Sequence, residues 1–287
     1  MQTEQQADIL TTATKIPGLT GFSLKYLAMF LMVLDHIHYF FEFTGKVPLA
    51  FSWLGRLSAP LFLFCVVEGF CHTHDRKKYF LRIYGISIVM GLIQFSFYNI
   101  GSGLVRPDGF FPQNQMLTSL ALLIILLQGI EWCQKKNWLR GILTIVFVLF
   151  VPYLIFLLLI YVFHAFGVAN LLAFTILPIH FSIADGGTAT LIAGTALYLF
   201  RKNSKKQALA FVIVALLLDV VYPMIVMTGL HFSDFFTQAY EWMEIFAVIP
   251  MLCYNGTRGN GSKQLFYWFY PAHIYLLYAL SFFVINL

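Results

Sequence analysis

The sequence predicts an all-α fold: a polytopic integral membrane helical bundle of about nine to ten transmembrane segments with a cytoplasmic N-terminus. Of the 287 residues, 60% are hydrophobic and only 11% are charged, whereas soluble domains carry roughly 25% charged residues. The mean hydropathy is +0.78. Several apolar runs approach the roughly 20 residues that a helix needs to cross a bilayer. This composition excludes soluble cytoplasmic enzymes and disordered chains.

The first two apolar runs set the orientation of the chain. Residues 1–22 are polar and show no signal-peptide pattern, so we expect a cytoplasmic N-terminal segment followed by one transmembrane domain, residues 23–287. The first apolar run covers about 24–43. The second covers about 52–70 and meets the basic stretch 72–82. Because positive charge marks cytoplasmic loops, the end of the second run and the N-terminus should both be cytoplasmic.

The remaining runs follow the same rule. The loop 101–115 contains Gly and Pro and should lie outside, whereas the basic pairs at 135–136 and 201–202 should lie inside. The run 168–181 then cannot be a full crossing, and we expect a short re-entrant or interfacial segment. The result is nine crossings and one half-segment. The other predicted spans are 83–100, 116–132, 141–163, 188–200, 208–228, 238–254 and 265–286.

Ionisable side chains inside the first two spans mark a candidate catalytic site, because such groups are costly in a membrane and are commonly functional. Asp35 and His36 lie in the first span, Arg56 and Glu68 in the second. Lys25 precedes His36 by eleven residues, close to three turns, so both share one helix face. We expect His36 to be a general base whose tautomer or imidazolium Asp35 supports. Arg56 would hold a developing oxyanion or pair with Glu68.

Simpler interpretations compete with this one. A single intramembrane His is often an interhelical hydrogen-bond donor, and Asp35 with Arg56 would also serve as a buried ion pair that keeps two spans in register. His36 and His38 are two positions apart on a helix, so their rings diverge and no metal site is expected. Packing alone is a poor explanation for four ionisable residues, Asp35, His36, Arg56 and Glu68, on two adjacent spans.

The basic stretch behind the second span is the candidate donor-binding element. It is either an anchor that only fixes orientation or a phosphate clamp, since cationic side chains stand beside a hydroxyl. The other positive charges lie in short gaps between apolar runs, so no nucleic-acid partner is expected. The residues of the candidate clamp are His72, Thr73, Arg76, Lys77, Lys78 and Arg82, with Lys25 beside them.

A further histidine lies in the last span. Pro271 would kink that helix and free a backbone carbonyl, which places His273 at an irregular point. The sequence does not tell whether His273 faces the site, so it is a second candidate for the base. No Ser or Cys is placed beside His36 by spacing, which favours direct transfer over a covalent intermediate, with Cys65 left open.

Taken together, these motifs resemble the TraX family of membrane proteins. The likeness spans about residues 23–285, although 140–235 matches only in hydrophobicity. The motifs that carry it are Leu24-Lys25, Asp35-His36, Gly55-Arg56-Leu57, Glu68-Gly69-Phe70, His72-Thr73, Arg76-Lys77-Lys78-Tyr79, Asn114, Tyr254-Asn255-Gly256 with Arg258, and Tyr270-Pro271 with His273.

The resemblance implies acetyl transfer, because founding members of the TraX family are associated with N-terminal acetylation of a conjugative pilin subunit. It implies acetyl-CoA as the donor, no metal, a protein or glycan acceptor, and a bacterial inner membrane whose lipid surrounds the chain. It adds Tyr79, Asn114 and Arg258 to the donor-binding candidates. The spacing of Lys25 and His36 is also similar to an Arg-to-His pattern in broader membrane acyltransferases, although Lys offers only a point charge to a phosphate.

The predicted function is therefore a membrane-embedded acetyltransferase that moves an acetyl group from cytoplasmic acetyl-CoA to an amine or hydroxyl. The alternative is a proton-coupled transporter that uses Asp35, His36, Glu68 and Asp219 as a relay. That alternative does not explain the basic stretch 72–82, and the sequence shows no internal repeat of the kind found in many secondary transporters. A purely structural assembly subunit would not need so many buried ionisable groups.

Overall fold

A computed structural model describes residues 18–100, 103–183 and 185–285, and within these ranges the chain is helical, without a β-strand. Most of the predicted N-terminal segment lies outside the described residues. Among the described residues, six helices are long and apolar enough to cross a membrane, whereas the sequence predicts nine crossings. They are Ala50–His72, Arg76–Asn99, Met116–Gln134, Trp138–Tyr161, Ser204–Val226 and Gln264–Ile285.

The first two predicted spans differ in how regular they are. Helix α1, Gly21–Phe41, is continuous, and the Thr20 hydroxyl caps it by accepting the N–H of Ser23 at 3.1 Å. The second span consists of α2, Ala50–Gly55, and α3, Ser58–His72. The break between α2 and α3 has a local cause. Pro60 lacks the N–H that the carbonyl of Arg56 would bind in a continuous α-helix.

The next three helices are long: α4, Arg76–Ile100; α5, Met116–Gln134; and α6, Trp138–Tyr161. In the most apolar 18 residues of each helix, 61% of α5 but only 11% of α6 is buried. Helix α5 therefore lies mostly inside the bundle, and α6 presents most of its surface outward. Helix α4 begins behind Asp75, whose side chain accepts the N–H of Lys78 at 2.9 Å. That hydrogen bond and the Lys78 ammonium hold the pKa of Asp75 below its usual value.

The predicted half-segment contains a helix of nine residues, α7, Phe166–Phe174. At 1.5 Å per residue it extends about 14 Å, too short for a hydrocarbon core of about 30 Å. The following helix, α8, Gly187–Leu199, has 13 residues and extends about 20 Å. The structure therefore places two short helices where the sequence predicts one half-segment and one crossing.

The C-terminal third shows the largest departure from the predicted spans. Helix α9, Ser204–Leu216, continues through a π-helical turn, Leu217–Val221, into α10, Tyr222–Val226. The predicted span 238–254 is not one α-helix, because Pro250 cannot continue the backbone hydrogen bonds. This region consists of a 3₁₀ segment and a short helix. The last helix continues through Pro271 without a break. These elements are α11, Asp234–Thr237; the 3₁₀ segment Tyr240–Ala247; α12, Val248–Leu252; and α13, Lys263–Ile285.

One hydrophobic core joins these elements. Helix α1 packs against α2, α3 and α13, so side chains from the first, second and last spans meet around α1. The largest fully buried side chains include Phe40, Phe70, Leu123, Leu127, Tyr198 and Phe211. This arrangement places Asp35 and His36 of α1 next to the break between α2 and α3.

Candidate active site

A cavity of about 900 Å³ runs along α1 and α3, within the size range of small-molecule sites, roughly 300 to 1,000 Å³. Lys25 and His36 both line it, as their shared helix face predicts. Eleven residues of helix separate them by about 16 Å, so the cavity connects the end of α1 with its interior.

One end of the cavity is basic and aromatic, and we call it the basic mouth. The rings of Phe22 and Phe266 lie 5.6 Å apart between centroids. The Lys25 ammonium lies 5.5 and 5.4 Å from these two rings, and the Arg258 guanidinium lies 5.4 Å from Phe22. The carboxylates Glu68 and Asp75 also line this end. The other polar residues of the basic mouth are Lys25, His72, Thr73, His74, Lys78, Tyr79, Arg82 and Arg258.

Backbone hydrogen bonds assemble the basic mouth from distant parts of the chain. Gly21 donates its N–H to the carbonyl of Thr257 at 2.8 Å, and Phe22 donates to the carbonyl of Arg258 at 3.0 Å. Leu19 donates to the carbonyl of Cys253 at 2.8 Å. These bonds attach the loop before α13 to the start of α1, which brings Arg258 next to Phe22.

Two residues of the predicted clamp lie elsewhere. Arg76 forms an ion pair with Glu131 of α5 and stacks on Phe70 at 4.2 Å, outside the cavity. Lys77 lines a separate groove. The reason is the helical period: Lys78 and Arg82 are four residues apart and share one face of α4, whereas Arg76 and Lys77 lie on another.

His36 is held by a chain of hydrogen bonds in the inner part of the cavity. Its Nδ1 lies 2.6 Å from Nε2 of His273, whose Nδ1 lies 2.7 Å from the carbonyl oxygen of Phe269. The Nε2 atom of His36 lies 3.1 Å from the amide nitrogen of Asn114. His36 and His273 are both buried, with their ring centroids 4.8 Å apart.

This chain fixes the protons. A carbonyl oxygen only accepts, so Nδ1 of His273 carries a hydrogen and its Nε2 accepts one. His36 therefore donates from Nδ1 and carries its lone pair on Nε2, where Asn114 donates to it. The sequence predicts that Asp35 supports the ring of His36. In the structure His273 and Asn114 are the hydrogen-bond partners of His36 instead. The sequence left open whether His273 faces the site, and the structure shows that it does.

Asp35 instead pairs with Arg56, whose Nη2 donates to Oδ1 at 2.6 Å. Arg56 also lies 3.8 Å from Glu241, and within the described ranges its buried Nε has no hydrogen-bond partner. Glu68, the other expected partner of Arg56, lies 3.7 Å from His72 instead. Glu68 and His72 lie in the last turns of α3, and Glu241 lies in the 3₁₀ segment Tyr240–Ala247.

Sequence reasoning missed Asp185, Glu241 and Glu244, which line the inner end of the cavity, and it named Asp219 only as part of the alternative proton relay. Asp185 accepts hydrogen bonds from the backbone N–H of Met116 at 3.1 Å and from the Tyr270 hydroxyl at 3.2 Å. Asp219, on the π-helical turn, and Glu244 lie next to each other at the same end. The signal for these residues was present as acidic residues within or beside apolar runs. The carboxylates of the inner end are Asp35, Asp185, Asp219, Glu241 and Glu244.

The described residues contain no group of three or more His, Cys, Asp or Glu side chains arranged to hold a metal ion. Their four cysteines are unpaired thiols. Cys65, which the sequence left open as an acyl carrier, lines the cavity, with Gly21 and Lys25 of the basic mouth beside it rather than His36.

Comparison with known proteins gives one family and one named relative. Residues 21–281 match the family described as TraX protein. The chain is also 26% identical to a protein of Dichelobacter nodosus named "Probable fimbrial assembly protein FimC, serogroup H1", over 92% of this chain and 97% of that protein. No solved structure matches the chain significantly.

Proposed function

The chain belongs to the TraX family, and on this premise we propose that it is a membrane-embedded acetyltransferase. It would move an acetyl group from acetyl-CoA to an amine or hydroxyl, with His36 as general base. The observation that carries the proposal is the single cavity, because it joins a mouth suited to a nucleotide phosphate with a buried histidine about 16 Å along α1.

The basic mouth has the chemistry that the nucleotide half of coenzyme A needs. Lys78, Arg82 and Arg258 offer charged donors to phosphate oxygens. The Phe22 and Phe266 rings form an apolar face on which an adenine base would stack. The thioester arm would then extend along α1 towards His36. Donor entry from the cytoplasm follows from the positive-inside rule, which assigns this basic end to the inner face.

The reaction balances with the groups at the inner end. The acceptor nitrogen or oxygen attacks the thioester carbonyl, and its proton passes to Nε2 of His36. The tetrahedral intermediate then breaks its C–S bond, and the departing thiolate takes that proton to leave as free coenzyme A. His273 accepts from Nδ1 of His36 throughout, and Arg56 offers its unpaired Nε–H to the developing oxyanion. The acceptor must displace the Asn114 amide to reach Nε2.

The surroundings of His36 favour an amine over a hydroxyl. Five carboxylates but only one cationic side chain, Arg56, line the inner end, so this end attracts an ammonium group. The ammonium would pass one proton to a carboxylate there, and the resulting amine would then attack with His36 as its base. Because a relative is named as a fimbrial assembly protein, a pilin-like N-terminus is the acceptor we propose first, with a cell-envelope glycan second. The proposed location is a bacterial inner membrane.

The test of this proposal is His36→Ala. General-base catalysis contributes roughly 10² to 10⁴ in rate, so acetyl transfer from radiolabelled acetyl-CoA to a peptide amine should fall by that factor. Binding of coenzyme A at the distant basic mouth should persist. The matched control is His38→Ala: both rings are 6% exposed on the same helix, but the described cavity does not include His38.

Two outcomes would contradict the assignment. An unchanged rate in purified His36→Ala would remove His36 as the base and make His273 the next residue to test. Proton flux into vesicles that requires His36 in the absence of acetyl-CoA would favour the transporter that the sequence leaves as the alternative.

A further inference from the structure

We propose that the groove between α4, α5 and α6 binds an anionic phospholipid. This groove, the lipid groove below, has a volume of about 630 Å³ and is separate from the active-site cavity. Its rim carries Lys77 and Arg140, and its wall carries Trp132, Phe80, Leu143 and Phe147. A charged rim above an apolar wall matches an amphiphile with a negative headgroup.

The rim keeps positive charge that the protein does not neutralise. Arg76 and Lys135 both pair with Glu131, so this carboxylate is already shared. In the described part of the chain, no carboxylate forms an ion pair with Lys77 or Arg140. Arg140 stacks on the Trp132 ring at 3.9 Å, which holds its guanidinium at the edge of the groove. A phosphate group would supply the missing counter-charge.

The wall decides between a lipid and a soluble phosphate compound. The three helices around the groove are all candidate membrane spans, and α6 is mostly unburied. Leu143 and Phe147 are 59% and 46% exposed on the face of α6 that lines the groove. A soluble phosphate would leave these side chains uncovered, whereas an acyl chain covers them. Basic pockets between spans at the cytoplasmic side are recognised sites for anionic headgroups.

The first two turns of α4 line both sites. Lys78, Tyr79 and Arg82 line the active-site cavity, while Arg76, Lys77 and Phe80 line the lipid groove. These sets lie on two faces of one helix. The basic stretch 72–82 therefore provides two anion-binding surfaces, one towards the protein interior and one towards the membrane.

The experiment is native mass spectrometry of the purified full chain, titrated with phosphatidylglycerol or with phosphatidylcholine of the same acyl chains. We expect one phosphatidylglycerol to bind about tenfold more tightly. Its net charge is negative, whereas the trimethylammonium group of phosphatidylcholine opposes the cationic rim and offsets a charge-assisted contact of about that size. The double variant Lys77→Gln, Arg140→Gln should lose this preference; both side chains are exposed, so the fold should persist. The control Lys202→Gln, Lys206→Gln removes two exposed positive charges elsewhere and should keep the preference.

A second measurement locates the lipid. Brominated phosphatidylglycerol in vesicles should quench tryptophan fluorescence more in the wild type than in Trp132→Phe, and brominated phosphatidylcholine should not distinguish them. Equal binding of both lipids, or equal loss in the control variant, would overturn the proposal. Displacement of the lipid by millimolar inorganic phosphate would assign the groove to a soluble anion, and a lipid-free dimer would assign it to a second copy of the chain.

Discussion

Gly55 allows the central ion pair of the site to form. A Cβ atom at this position would overlap the side chain of Asp35, so α2 approaches α1 closely only because residue 55 has none. Asp35 then reaches Arg56 at 2.6 Å. The ion pair leaves His36 free to bond with His273 and Asn114 instead. Gly55 therefore permits the close approach of α2 to α1 at which Asp35 pairs with Arg56.

Gly55→Ala should separate Asp35 from Arg56 and destabilise the protein by about 1.5 to 3 kcal/mol, the range for hydrogen bonds to charged groups. The measurement is unfolding of purified protein in detergent. Gly85→Ala is the control, since a Cβ there meets no atom within 4 Å. It should be neutral or stabilising by roughly 0.5 to 1 kcal/mol, as for Gly to Ala in a helix interior. Equal stability of the two variants would show that α2 can move away without cost.

Helix α4 explains why the predicted clamp separates into two sets. The sequence groups its cations by proximity along the chain, but a helix distributes neighbours over faces about 100° apart. Lys78 and Arg82 reach the cavity, where Arg82 also hydrogen-bonds Tyr267. Arg76 faces α5 and pairs with Glu131. A cation in a basic stretch is therefore a ligand candidate only on the appropriate face.

Lys78→Ala and Arg82→Ala should each weaken coenzyme A binding about tenfold, because each removes a charge-assisted contact of roughly 1.5 to 3 kcal/mol. Arg76→Ala should leave the affinity for coenzyme A unchanged but lower thermal stability, since it leaves Glu131 without its arginine. Isothermal titration of each purified variant measures the affinity. An equal loss of affinity in all three would return Arg76 to the clamp.

The bundle as a whole combines long and short helices, and its orientation depends on the short ones. The cations near Lys78 and near Asn203 lie on the same side only if the chain between them, α4 to α8, crosses the membrane an even number of times. Helix α7 is too short to cross, and α8 is shorter than a typical span. Hydrophobicity alone cannot count such segments, because a buried short helix is as apolar as a crossing.

Single cysteines at Lys78 and Asn203, in a background without native thiols, should both resist an impermeant maleimide in intact cells. A cysteine at Leu104, which is exposed in the loop between α4 and α5, should react and is the positive control. Labelling at Asn203 but not at Lys78 would show that the segment around α7 crosses the membrane fully.

The sequence by itself determined the all-α membrane class, the TraX family and the residues of α1 and α3 that meet in the cavity. Composition and the 3.6-residue period act locally, so Lys25 and His36 share a face whatever else the chain does. Only the tertiary structure decided that His273, 237 positions further on, is the partner of His36. It also decided that Asp35 belongs to Arg56 and that Asp185, Asp219 and Glu244 line the same cavity. These contacts depend on which helices pack together. In a bilayer the lipid tails are as apolar as the side chains, so close packing and interhelical hydrogen bonds decide the helix partners, and the hydrophobic pattern of the sequence does not record them.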